Sequence, residues 1–567
     1  MGLAGQSFAN PEPSYGCSFS PGEKVRLRAG VKIIPFPPFV VADDKDVIGL
    51  ATPTLHRPVS SLARRRVFFV MSGTMNLATA FAASVEKRPD KIALYWGESE
   101  FSYATLFAQS RAVAAALAGK FGVKPGDRVA LWVKNCPGFV SSVFGILSAG
   151  GVVVPINNFL KPAEVSYIVN DSGANVLITG AELAAHSETL KVARPSLEIL
   201  RVEEFPALNP SSSFHPPASC SEKDLAAMLY TSGTTGHPKG AMLTHGNFLH
   251  NVASCVTALE VREDDRVVVA LPQFHSFMFT VGTLLPVLHG NGILLLKTLH
   301  PFKQVLEEIA RHRGTILPAV PSFYRALLAV PEFGRLPLRL CISGGAPLPV
   351  EVFNEFTRKF PFPLREGYGP TESSPVATVN PIYGINKPGS IGKPIPNVEL
   401  SIRDETGQEL PVGAIGEICI CGGNVMRGYW NQPEETAKVL RDGWLYTGDV
   451  GYRDADGYYY ITDRKKDMLL VNGNNVYPRE IEEIIYQFPG IKETAVIGVP
   501  DARRGERPVV FVVAAEGQVV EEKALLQFVR SKLADYKVPK RVIFVPALPR
   551  NAMGKILKTA LRQQPLV

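Results

Sequence analysis

The stretch RVALWVKNCPGFVSSVFGILSAGGVVVPIN, Arg128–Asn157, decides the fold. Two short apolar runs, RVALWV and GVVVPIN, have the length and β-branched content of buried strands, and between them Gly138 to Ala149 fits a helix three turns long. A strand, a helix and a second strand in so few residues make a crossover unit, which places the two strands parallel in one sheet. The pattern extends in both directions: helix Asn76 to Lys87, strand KIALYW, helix Tyr103 to Phe121, then, beyond Asn157, helix Pro162 to Asn170 and strand NVLITG. A second series runs from about Leu225 to Pro363. Sheets covered on both faces by helices are implied.

From Gly389 to Tyr460 short strands and Gly-rich turns take over (GEICICGG, DADGYYYIT), and after Asp463 a compact α+β tail follows. Residues 1–70 hold eight prolines and no sustained period, and read as a weakly ordered extension. The predicted fold is therefore α/β: a large N-terminal domain (71–463) of two doubly wound sheets plus a small β-rich subdomain, and a small α+β C-terminal domain (464–567) on a hinge.

The 567 residues are 46% hydrophobic and 20% charged, a globular composition that excludes a disordered or fibrous chain. The formal net charge is +7, and residues 464–567 alone carry 18 basic against 11 acidic side chains, which makes the tail anion-seeking. Seven scattered cysteines, without a C-x-x-C, suggest neither a disulfide framework nor a zinc site. No secretory pattern opens the sequence, and the expected location is cytoplasmic. Residues 135–160 and 267–296 are uncharged but interrupted by Gly and Pro, so they parse as core pieces and not as membrane spans. Peripheral contact with the inner membrane surface stays open, and no nucleic-acid partner is expected.

YTSGTTGHPKG, Tyr230–Gly240, follows an apolar lead and precedes a helix from His245. Its hydroxyls and glycines bare a row of backbone N–H groups, and its lysine adds a cation, which together suit a polyphosphate. It is not the Walker form, because Pro238 precedes Lys239 and Gly240 follows it. Further on, Tyr368 offers a flat ring for a purine, Glu372 a hard oxygen for Mg²⁺, and Asp449 acceptors for two ribose hydroxyls, though taken alone Asp449 is explained better by an Asx turn.

The loop resembles the signature of the adenylate-forming superfamily, which includes acyl-CoA synthetases, firefly luciferase and peptide-synthetase adenylation domains. Five more motifs follow in family order: SGGAPL (Ser343–Leu348), EGYGPTE (Glu366–Glu372), GWLYTGDVGY (Gly443–Tyr452), DRKKDMLLVNGNNVYPREIE (Asp463–Glu482) and PRNAMGKILK (Pro549–Lys558). The resemblance covers roughly residues 76–562. It implies that ATP is held by Thr231, Ser232, Gly233, Thr234, Thr235, Gly236 and Lys239, by Gly344, Gly345 and Ala346 along the adenine, by Gly367, Tyr368, Gly369 and Thr371, and by Asp449 and Arg464. Mg²⁺ falls to Thr231 and Glu372. Lys555 is implied to bridge the substrate carboxylate and the α-phosphate, Gly473 to line the coenzyme A tunnel and Lys466 to be the hinge. The catalytic set is then Lys555, Glu372 and Thr231.

His275, in LPQFHSFMFT, borders the acyl pocket by the same resemblance, and Phe277 and Phe279 beside it suit an aliphatic or aryl tail or, equally, plain core packing. No carboxylate occurs between Arg266 and Lys297, so an α-amino acid, whose ammonium needs one, is an unsuitable substrate. The expected function is AMP-forming ligation of a carboxylic acid, a fatty acid first, to coenzyme A. Transfer to a carrier protein, activation of an aryl acid and, more distantly, an inactive nucleotide-sensing scaffold are the alternatives.

Overall fold

The structure is a computed structural model, and it describes residues 75–208, 220–231, 238–330, 334–501, 503–551 and 555–564. The extension expected at 1–70 and loop residues Ser232, Gly233, Thr234, Thr235 and Gly236 lie outside the described residues.

Arg128–Trp132 is an interior strand of a seven-stranded sheet, parallel to Val152–Pro155 on one side and Val176–Thr179 on the other. The crossover helix is Pro137–Ser148. Every residue from Phe139 to Ser148 is buried, because the helix runs inside the domain against helices Leu77–Lys87 and Tyr103–Gly119. That burial explains why its sequence is apolar all round instead of striped.

The two alternating series do not correspond to two sheets. Strand Ile92–Trp96, from the first series, pairs in parallel with Gly292–Leu295 in a nine-stranded sheet. In exchange, Leu225–Thr231 and Lys239–Thr244 complete the seven-stranded sheet. The expected doubly wound lobes are present but interwoven, and both carry antiparallel strands at an edge. The β-rich segment forms a third sheet from Val398–Arg403, Gly416–Gly422, Leu440–Arg441, Trp444–Arg453 and Tyr459–Arg464.

The uncharged stretch after Arg266 folds as strand Arg266–Val269, a π-helical run Met278–Leu284, helix Leu285–His289 and strand Gly292–Leu295. Among the described residues no helix is long and apolar enough to cross a membrane.

In the tail, strand Gly505–Ala514 lies between Ile491–Asp501 and Val542–Phe544. Its alternate residues feed two cores: Val510 and Val512 join Ile481, Leu525 and Val529 on one face, while Val509, Phe511 and Val513 join Leu548 and Leu561 on the other. Helices Pro478–Tyr486, Glu522–Lys532 and Lys558–Arg562 cover the sheet.

Candidate active site

The predicted residues gather where the parallel strands Leu340–Ser343 and Leu364–Tyr368 end, the usual place for a ligand in such sheets. Gly344 and Gly345 turn the chain out of the first strand, with Gly345 at φ +78°. After the second, a Cβ on Gly369 would come within 1.7 Å of the Pro375 carbonyl oxygen, so only glycine lets the two backbones approach there. Beside Gly344, the hydroxyl of Ser343 is buried without a partner.

Tyr368 and Asp449 are joined. The phenol donates to Asp449 Oδ2 at 2.6 Å, and Arg464 Nε lies 3.1 Å from Oδ1. Burial and the carboxylate push the Tyr368 phenol well above its ordinary pKa, which keeps it a donor. Asp449 is 4% exposed, and strand Trp444–Arg453 holds it opposite Arg464 on the neighbouring strand.

Lys555 comes to the same place from the tail. It is partly buried, and Arg464, Asp449, Lys466, Asp467 and His275 are all close enough to couple electrostatically to it. Burial, then Arg464, lower its pKa to about 8. His275 is held neutral, its pKa pushed down to about 4 by burial and by the Lys555 cation, and its Nδ1 accepts from the Phe277 backbone N–H at 3.3 Å.

Glu372 receives the Tyr429 hydroxyl on Oε1 at 2.7 Å, and the Thr371 hydroxyl meets Ser276 Oγ at 3.1 Å. Thr231 ends its strand in register with Lys239, whose buried ammonium pairs with Glu435. Ala346 is half-buried just beyond Gly345. Lys466 lies in the exposed turn after strand Tyr459–Arg464, where Asp467 N–H donates to the Arg464 carbonyl at 2.9 Å. Gly473 stands apart from this cluster, exposed at the tip of the hairpin Leu469–Val471 and Asn474–Val476, where Asn472 and Gly473 both have positive φ.

A pocket lies at this cluster. His275, Phe277, Gly344, Gly345, Gly367, Tyr368 and Gly369 line it together with Cys255, Ala258, Val281, Val379 and Ile395. Phe279 is not among the lining residues. The π-helical turn directs it into the core, where its ring packs against Phe139 and Phe248 at 6.5 and 5.5 Å.

Three residues to which the sequence reading gives no role belong to this region: Tyr429, Glu435 and Glu366. Glu366, 4% exposed, accepts the Leu348 N–H at 3.0 Å, and burial lifts its pKa to about 7. A carboxylate two residues ahead of Tyr368 in a recognised motif was the signal available for it.

The glycine wall, the unpartnered Ser343 hydroxyl and the Asp449 carboxylate fit a nucleotide. Among the described residues no three His, Cys, Asp or Glu side chains gather as a metal cage. Glu372 and Thr231 offer the hard oxygens that would hold a Mg²⁺ brought in with the nucleotide.

Residues 81–430 match the AMP-binding enzyme family and residues 480–555 the AMP-binding enzyme C-terminal domain. The chain is 38% identical over 530 residues to a long-chain-fatty-acid–CoA ligase of Bacillus subtilis, covering 86% of this chain and 94% of the relative. It is also 38% identical over 482 residues to a feruloyl-CoA synthase of an Amycolatopsis species, with 84% and 96% covered. The ATP-bound crystal structure of MatB from Rhodopseudomonas palustris superposes with a TM-score of 0.81 at 36% identity, over 86% of this chain and 99% of that one. With the fold, the ordered motifs and these relatives in agreement, the chain belongs to the AMP-binding enzyme family, among its AMP-forming acyl-CoA ligases.

Proposed function

We propose that this ligase activates an apolar carboxylic acid, a fatty acid first of all. The observation that carries the reading is the pocket lined by His275, Phe277, Val281, Tyr368 and Ile395: among the described residues no Asp, Glu, Lys or Arg lines it, so an alkyl or aryl tail is accepted and a second charge is not. The fatty-acid and feruloyl ligases among the relatives support the same class.

In this scheme Tyr368 stacks on the adenine, Asp449 accepts the ribose hydroxyls, and Lys555 brings its ammonium to the substrate carboxylate and the α-phosphate. Bound with the phosphates, Mg²⁺ would supply charge neutralisation. A carboxylate oxygen attacks the α-phosphorus and pyrophosphate leaves. Such an in-line displacement depends on positioning and charge more than on acid–base groups, which is what Lys555, Arg464 and the glycine-rich strand ends offer. The coenzyme A thiol then attacks the acyl carbonyl and AMP leaves.

The two steps use two arrangements of the tail about Lys466, with residues 71–463 as the fixed body and 464–567 as the moving one. Lys555 beside Asp449 and Gly473 at an exposed hairpin tip support this division, since the described arrangement brings one of the two to the site. A cytoplasmic enzyme touching the inner membrane surface, where apolar acids partition, completes the reading, and co-sedimentation with vesicles tests that contact.

The test of function is pyrophosphate release over a panel of octanoate, palmitate, ferulate, benzoate, malonate and leucine, repeated with coenzyme A and with an acyl carrier protein as acceptor. Turnover of the apolar acids with coenzyme A is expected. Preference for malonate or leucine would overturn the pocket reading, and faster transfer to the carrier protein would overturn the acceptor.

A further inference from the structure

The segment that runs from Gly428 to Val439 joins the edge of the seven-stranded sheet. Gly428 and Tyr429 add a short strand beside Met242 and Ala241, and Trp430 N–H donates to the Gly240 carbonyl at 2.8 Å. Gly428 sits at φ +142°, and a Cβ there would stand 2.7 Å from Thr436. Helix Pro433–Val439 follows, and Thr436 Oγ1 accepts the Tyr429 N–H at 2.9 Å, which folds the segment back on itself.

Its side chains reach the two groups of opposite charge that the ligase reading gives to metal and phosphate. The Tyr429 hydroxyl donates to Glu372 Oε1 at 2.7 Å, and the same ring lies 5.2 Å from the Lys239 ammonium. Glu435, from the helix, pairs with that ammonium and also with Lys438. Tyr429 is 8% exposed, so it cannot exchange these partners freely with water. A single tyrosine thus touches both the acid and the base, and a glutamate pairs with the base.

Resting on the ligase reading above, we propose that Tyr429 and Glu435 are positioning residues for the metal–triphosphate end of the nucleotide: Tyr429 aims the Glu372 carboxylate, and Glu435 with the Tyr429 ring fixes the Lys239 ammonium. Neither residue is asked to contact the adenosine. Their loss therefore weakens ligands that carry the β- and γ-phosphates and spares those that do not.

The experiment is calorimetric titration of the full chain with MgATP and, separately, with AMP, for the wild type, Tyr429→Phe, Glu435→Gln, Lys239→Met and the Lys239→Met/Glu435→Gln double variant. Losing one hydrogen bond or ion pair to a charged group is expected to weaken MgATP roughly tenfold. AMP affinity is expected to stay within about twofold. The double variant is expected to bind MgATP no worse than Lys239→Met alone, because Glu435 acts through the lysine. Tyr429→Phe keeps the ring and removes one oxygen, so it tests the idea even if an ion-pair variant does not fold. Equal weakening of MgATP and AMP would make the segment merely structural, and unchanged MgATP affinity or additive losses would also overturn the proposal. A wild type that binds neither ligand would overturn the ligase reading instead.

Discussion

Replacing Lys555 by arginine separates the charge of this residue from its titration. Burial and the nearby Arg464 and Lys466 cations outweigh Asp449 and Asp467 and bring the Lys555 ammonium down to about 8 from 10.5. Because the shift is downward, the cation is complete well below pH 8 and is lost as pH rises through that value. At pH 9 roughly one molecule in eleven keeps it. If adenylation needs the cation, kcat/KM for pyrophosphate release falls roughly tenfold from pH 7 to pH 9, and this ratio reports the free enzyme, whose site the structure describes. An arginine stays charged throughout that range. Lys555→Arg should therefore be slower at pH 7, since a guanidinium is larger and differently shaped, yet flat to pH 9. The assay is single-turnover pyrophosphate release between pH 6 and 9.5, paired with thioester formation from supplied acyl-adenylate, in which neither the wild-type limb nor the arginine effect should appear. A wild-type profile that stays flat to pH 9.5, or an arginine variant that declines in parallel with the wild type, would refute the assignment of Lys555.

Glu366→Gln should raise thermal stability at pH 8 and leave it unchanged at pH 5. The buried carboxyl, facing Arg479, Glu483 and the Leu348 N–H, has its pKa lifted from 4.5 to about 7, so the folded state loses about 3 kcal/mol as pH rises from the unfolded value through 7; calorimetric melts at the two pH values check it. Asp449→Asn removes the carboxylate shared by Tyr368 and Arg464 and should weaken AMP at least tenfold with little change in melting temperature, as read by titration calorimetry. Ala258→Trp, in the lining of the pocket, should cut palmitate turnover much more than octanoate turnover, and equal losses in a chain-length series would show that the tail leaves by another route.

The elements were legible wherever side-chain period alone determines them. Arg128–Trp132, Pro137–Ser148 and Val152–Pro155 fall within a residue or two of their expected ranges, because β-branched runs between glycines leave few alternatives. Which sheet a strand joins was not legible, since Ile92–Trp96 finds its partner 200 residues later and local pattern does not encode that distance. At the site, Tyr368, Asp449 and Lys555 were readable through motif order, and the structure brings them together. Phe277 and Phe279 look alike in sequence, and a π-helical turn, which periodicity does not announce, separates pocket from core. Tyr429 and Glu435 were hidden for another reason. A tyrosine in GYW and a glutamate in PEET are ordinary surface residues until pairing with Lys239–Thr244 carries them to Glu372 and Lys239.

The charges explain why one tail arrangement would suit only one step of the proposed reaction. Around Lys555 stand two further cations, Arg464 and Lys466, against two carboxylates, Asp449 and Asp467, and the excess of positive charge is part of what lowers the Lys555 pKa. A bound triphosphate and a substrate carboxylate reverse that balance, so the docked tail is most favourable while ATP and the acid are both present. Once the adenylate has formed and pyrophosphate departs, most of the negative charge has left with it, while all three cations remain. Their mutual repulsion then opposes the docked arrangement and favours movement about Lys466. In the proposed scheme coenzyme A, with Gly473 brought to the site and Lys555 withdrawn, thus arrives when electrostatics no longer hold the first arrangement in place.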